Sequence, residues 1–159
     1  MSKSTPSYII ATFSCFFILI THQDLQAQSK KTDPASTATK NKELVRNTFQ
    51  QIINQQSTDY YEKVYAANVI DHSAWPGQAP GLTGLRKAVG DMLKDIPDLK
   101  VTIEDIFAEG DKVATRETWK GTKKSTGKTG TGNTIHIFLI RDNKITEEWS
   151  QGWDWLEKF

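Results

Sequence analysis

"LKVTIEDIFAEGDKVATRETWKGT", from Leu99 to Thr122, sets Leu99, Val101 and Ile103 against Lys100, Thr102 and Glu104. It turns at Glu109, Gly110 and Asp111, then resumes from Lys112. Period-two alternation on both sides of a glycine turn reads as a β-hairpin. Downstream, "NTIHIFLIRD" gives a further strand, Asp142 and Asn143 a turn, and "KITEEWSQGWDWLEKF" the returning last strand. Upstream the period is helical. "NKELVRNTFQQIINQ" from Asn41 places Leu44, Val45, Phe49, Ile52 and Ile53 on one stripe, and "TDYYEKVYA" continues with a short helical piece. "GLRKAVGDMLKDI" follows, capped by Thr83 and stopped by Pro97. Helices first and an antiparallel meander after them predict an α+β fold, with N-terminal helices packed on the inner face of the sheet.

The segment ahead of this domain reads differently. Lys3 precedes an apolar run from Tyr8 to Ile20, and "LQAQS" offers Ala27 as a small-residue cleavage site. At about 13 residues the run is well short of the roughly 20 that a spanning helix needs. The reading is a signal peptide over 1–27, a polar flexible leader over 28–40 and one domain over 41–159, exported to the periplasm or beyond and without a membrane span after processing. The only cysteine, Cys15, lies inside the signal, so the mature chain has neither a disulfide nor a thiol nucleophile. A net charge of +1, with acids and bases interspersed, carries no nucleic-acid footprint.

"GTKKSTGKTGTG" from Gly121 imitates a phosphate-binding loop, but five residues separate Gly121 from Gly127 where that motif needs four, and it joins two strands instead of a strand and a helix. The shaped loop lies elsewhere. "VIDHSAWPGQAPGLTG" from Val69 places Asp71, His72 and Trp75 beside two prolines and three glycines, which excludes a regular helix or central strand there. His72 then serves either as a donor to a substrate oxygen or as a turn histidine satisfied by backbone.

These pieces in this order ("DHSAW", "PGLTG" before a helix, "PDLKV" into a strand, "EGDKVATR", "KITEEW") resemble the SnoaL-like polyketide cyclases and ester cyclases. The resemblance spans the whole mature domain. It implies the nuclear transport factor two-like fold, a cone in which a strongly curved antiparallel sheet wraps helices around an apolar pocket. It also implies cofactor-independent cyclisation or isomerisation of an apolar, polyketide-like or ester substrate. The sequence departs from the family where Lys123 replaces a histidine after Gly121 and Thr122. The family's acid, four residues after the tryptophan of "EEW", is matched only by Asp154, five residues after Trp149.

Aldol-type cyclisation needs a base, a donor for the enolate oxygen and a dry pocket. Asp154, flanked by Trp149, Trp153 and Trp155, is the expected base, provided a bulge at Gly152 turns it into the pocket to face His72; otherwise it is a surface residue. His136 shares a strand face with Phe138 and Ile140, and that face is either core or cavity. Trp75, Trp119, Trp149 and Trp153 are expected to line the pocket, and Arg116 either orients a substrate ester or pairs with a neighbouring glutamate. No metal-ligand spacing and no dinucleotide fingerprint is present. Ile135, Ile137 and Leu139 on the opposite face of their strand predict a homodimer through the outer face of the sheet. The alternative to an enzyme is an exported module that binds a small molecule and transforms nothing.

Overall fold

A computed structural model describes residues 34–158; the expected signal segment, the first part of the leader and Phe159 lie outside the described residues. The first helix, α1 (Pro34–Thr48), begins inside the segment expected to be flexible, because "PASTATK" contains good helix formers and runs without a break into the apolar stripe. Phe49–Asn54 continues it as a π-helical segment, and a 3-10 turn (Thr58–Tyr60) leads into α2 (Tyr61–Val64). The widened π turn buries Phe49, Ile52 and Ile53 together.

Five strands follow: β1 (Tyr65–Asp71), then, after α3 (Gly81–Asp95), β2 (Lys100–Glu109), β3 (Lys112–Thr122), β4 (Thr129–Arg141) and β5 (Lys144–Gln151). They form one open sheet in the order β1-β5-β4-β3-β2. The fold class is the expected α+β, with one correction: the sheet is mixed. The sequence reading left "YAANVID" as the end of a helical piece and the approach to a loop, whereas it is an edge strand running parallel to β5. Tyr65 and Val69 anchor it in the core, while Ala66, Ala67 and Asn68 give it no alternation that could be read.

The hairpin β2–β3 is antiparallel as expected, with one bulge at Glu104, and β3–β4 pairs without a break, so Val113, Glu117, Trp119, Thr134, His136 and Phe138 share the inner face. Phe49 sits on that face edge-on to Trp119, His136 and Phe138, with ring centroids 5.9, 5.5 and 5.8 Å away. Such aromatic contacts add about 0.5–1.5 kcal/mol each beyond buried area. On the outer face Ile135, Ile137 and Phe107 are exposed, but Leu139 is buried and does not extend that surface.

The bulge expected at Gly152 is at the other end of β5. Ile140 pairs with Ile145 and Leu139 with Glu147, so one step on β4 spans two on β5 at Thr146. At Gly152 the strand ends, and a 3-10 helix (Trp153–Lys158) turns back over β4. Gly152 has φ +98°, and a Cβ there would lie 2.4 Å from the Asn133 carbonyl oxygen. Gly152→Ala should therefore cost about 2 kcal/mol or more of stability through combined strain and clash. Gly90→Ala, in α3 with nothing near the new methyl, should instead gain roughly 0.5–1 kcal/mol. Urea unfolding of both variants checks this; equal midpoints would refute it.

Candidate functional site

The inner face of the sheet, the π-helical segment, α2, α3 and the 71–78 loop enclose a cavity of about 80 Å³. Phe49, Ile52 and Ile53 line one wall and Leu85, Ala88, Val89 and Met92 of α3 another. The sheet contributes Trp119, His136, Phe138, Glu148 and Ser150, and Trp75 and Trp153 meet edge-on beside them. About 150 Å³ holds a benzene ring, so this cavity takes a small group as it stands, and a larger one requires the side chains around it to part.

His136 is 7 % exposed, and its Nδ1 lies 3.0 Å from Oε2 of the fully buried Glu117. The same oxygen accepts a 2.6 Å hydrogen bond from Thr134 Oγ1, which in turn accepts the indole N–H of Trp119 at 2.6 Å. That carboxylate oxygen serves as the acceptor toward the imidazole. Nδ1 then carries the imidazole hydrogen, and Nε2 is left as the free nitrogen of a residue that lines the cavity. Among the described residues the Glu117 Oε1 atom has no hydrogen-bond partner. A carboxylate behind an imidazole fixes its tautomer and orientation and so presents the other nitrogen as the proton acceptor.

Glu148 stands beside this pair. His136 pairs with Ser150 and Phe138 with Glu148 across β4–β5, so His136 and Glu148 are diagonal neighbours on one face. Tyr65 Oη donates to Glu148 Oε2 at 3.0 Å, and Oε1 makes no hydrogen bond to the described residues. Burial pushes the Glu148 carboxyl up to about 7; Asp71 adds to the rise, while His136 and the Tyr65 hydrogen bond oppose it. The Tyr65 phenol is pushed well up by burial and by Glu148, so it remains a donor. Asp71 closes that side, its oxygens accepting the Ser73 N–H at 2.9 Å and Gln78 Nε2 at 2.8 Å. Ser73 fixes the loop to β5 by donating to the Ser150 carbonyl (2.9 Å) and accepting the Ser150 N–H (2.8 Å).

Of the residues singled out from the sequence, Trp75, Trp119, His136 and Trp153 line the cavity, and four do not. Asp154 is turned to solvent in the 3-10 helix, where its hydrogen bond with Lys158 at 2.8 Å holds its carboxyl below the usual range, opposite to what a base in an apolar pocket requires. The residue four positions after Trp149, where the resembled family carries its acid, is Trp153, whose indole donates to Ser150 Oγ at 2.8 Å. His72 hydrogen-bonds Glu147 at 2.8 Å and stacks on Trp149 at 4.3 Å. Both belong to the outer side of the sheet, because Trp149 alternates with the cavity-lining Glu148 and Ser150. Arg116 pairs with Asp105 at 2.7 Å, also away from the cavity.

Sequence reasoning missed Glu117, Glu148, Tyr65 and Asp71. Glu117 was within reach, since it has the parity of Val113 and Trp119 on one strand. Glu148 was not: Ile145 and Glu148 both point inward although they differ by an odd step, which the bulge at Thr146 alone permits.

Solved structures share this architecture. TsrD from Streptomyces laurentii superposes with a TM-score of 0.68 at 21% identity, covering 76% of this chain and 93% of that one. A SnoaL-like polyketide cyclase from Agrobacterium tumefaciens superposes with a TM-score of 0.61 at 21% identity, covering 72% and 93%. Among curated proteins none matches the chain. Residues 43–154, which contain every side chain of the cavity, match the family model described as SnoaL-like polyketide cyclase, and the chain belongs to that family.

Proposed function

We propose that this chain is an acid–base catalyst of the cyclase or isomerase type, acting on a small, largely apolar molecule that carries a carbonyl. The observation that supports this most is the Glu117–His136 pair, with imidazole Nε2 free at a buried aromatic cavity and Glu148 beside it. In this reading His136 removes a proton next to the carbonyl, Glu117 stabilises the imidazolium that forms, and Glu148 shares a proton with a substrate heteroatom. Trp75 and Trp153 hold the apolar body of the substrate away from water.

The test is proton exchange, which needs no knowledge of the complete reaction. Small aryl ketones that bind the protein should exchange their α-hydrogens for deuterium in D2O faster with the wild type than without protein, as followed by NMR. Binding with no exchange above background would favour the alternative, a module that binds without transforming. Trp153 at the position of the family's acid supports that alternative. The N-terminal pattern further supports export, and the exposed Ile135, Ile137 and Phe107 support self-association through the outer sheet face.

A further inference from the structure

The charge of the cavity is one-sided. Asp71 and Glu148 are register partners on β1 and β5, both line the cavity, and no lysine or arginine is among its lining residues. Arg86, near Tyr61, is committed to Glu62 and does not line it. Apart from the Tyr61 and Ser150 hydroxyls, the polar capacity left over is of accepting type. Ser73 and Gln78 are engaged with Ser150 and Asp71. Glu148, 7 % exposed and aimed into the cavity, keeps Oε1 without a donor, and His136, equally buried, keeps Nε2 without one. Around these acceptors stand the rings of Tyr61, Tyr65, Trp75, Phe138 and Trp153, and an aromatic face favours a cation at close range. An anionic ligand would meet two carboxyl groups with no cationic side chain beside them, and a neutral one would bring Glu148 Oε1 no charged donor.

We propose that the Asp71–Glu148 side of the cavity is a subsite for a protonated primary amine carried on a small, flat apolar body. This rests on reading the cavity as the substrate site and adds the charge class of the substrate. The ammonium donates to Glu148 Oε1 and lies beside Asp71, which leaves His136 Nε2 facing the rest of the molecule. The groups that face Glu148 are Tyr65, Asp71 and His136, with Tyr61 next to Tyr65. None of them supplies a fixed positive charge, so the amine supplies it.

Titration calorimetry of the full chain with benzylamine, benzyl alcohol and benzoate tests this with three probes of similar shape. Benzylamine should bind about tenfold or more tightly than benzyl alcohol, which corresponds to a single charge-assisted hydrogen bond. Benzoate should not bind. Benzylamine affinity should rise about tenfold between pH 6 and pH 8 as Glu148 ionises. Glu148→Gln should remove most of the amine's advantage over the alcohol and flatten that pH dependence. Asp71→Asn should weaken the amine alone, which keeps the test decisive if Glu148→Gln fails to fold. Alcohol binding as tight as amine, or benzoate binding, would overturn the amine subsite while leaving the pocket reading in place. Failure of all three probes to bind would overturn both.

Discussion

Replacing His136 by glutamine should reduce α-proton exchange by roughly 10²–10⁴-fold, the usual contribution of a positioned general base. Glutamine keeps a donor for Glu117 and fills much the same space, but it cannot take up a proton. The loss should therefore appear in turnover while ligand affinity changes little, the pattern of an interaction made mainly in the transition state. Glu117→Gln should give a smaller loss. It preserves an oxygen for Thr134 and for His136 Nδ1 but removes the charge that stabilises an imidazolium. Nitrogen-15 NMR separates this from simple damage: in the wild type Nδ1 of His136 carries the hydrogen, and in the variant that preference should weaken. Full exchange activity in His136→Gln would remove the histidine from the chemistry and leave the cavity as a binding site.

The elements that were legible in the sequence are those whose side chains repeat with an unbroken period. The β2–β3 hairpin was readable because inner and outer residues alternate from Leu99 to Ile103 and along β3 on either side of a glycine turn, although a bulge at Glu104 shifts the parity of the rest of β2, and His136 was placed correctly against Ile135 and Ile137 by the same kind of alternation. The reading failed where local geometry resets the period. One residue inserted at Thr146 reverses which of the paired glutamates, Glu147 or Glu148, faces inward, and Gly152 ends a strand that its neighbours would otherwise extend. The first choice of acid therefore fell on Asp154, a residue surrounded by tryptophans in sequence and by water in space. The alanines and asparagine of β1 hid the strand that brings Asp71 next to Glu148, so the carboxylate pair was visible only after folding. What the sequence did contain was the apolar and aromatic lining, because those residues are spaced to be buried whatever the site does.

Glu148→Gln should make the protein more stable at pH 8 by about 3 kcal/mol and leave it unchanged near pH 4, because the cost of burying the carboxylate depends on pH. In the unfolded chain Glu148 titrates near its ordinary 4.5, and in the folded protein at about 7. Below 4.5 both states hold the proton and the group contributes nothing. Between 4.5 and about 7 the unfolded state gives up its proton while the folded state keeps it, so stability falls as pH rises, by about 1.4 kcal/mol per pH unit. Above that window both states are ionised and the penalty stays constant. Glutamine retains an oxygen for Tyr65 and carries no charge, so the slope should vanish in the variant. The exposed carboxylates Asp91, Asp98 and Asp154 are held below their ordinary value by their hydrogen-bond donors and so leave the window clear. Urea unfolding at pH 4, 6 and 8 checks the difference, and parallel curves for the two proteins would show that Glu148 is solvated. A carboxylate that weakens the fold at neutral pH, when glutamine would fit the same hydrogen bond, is the kind of destabilising residue that a functional site retains.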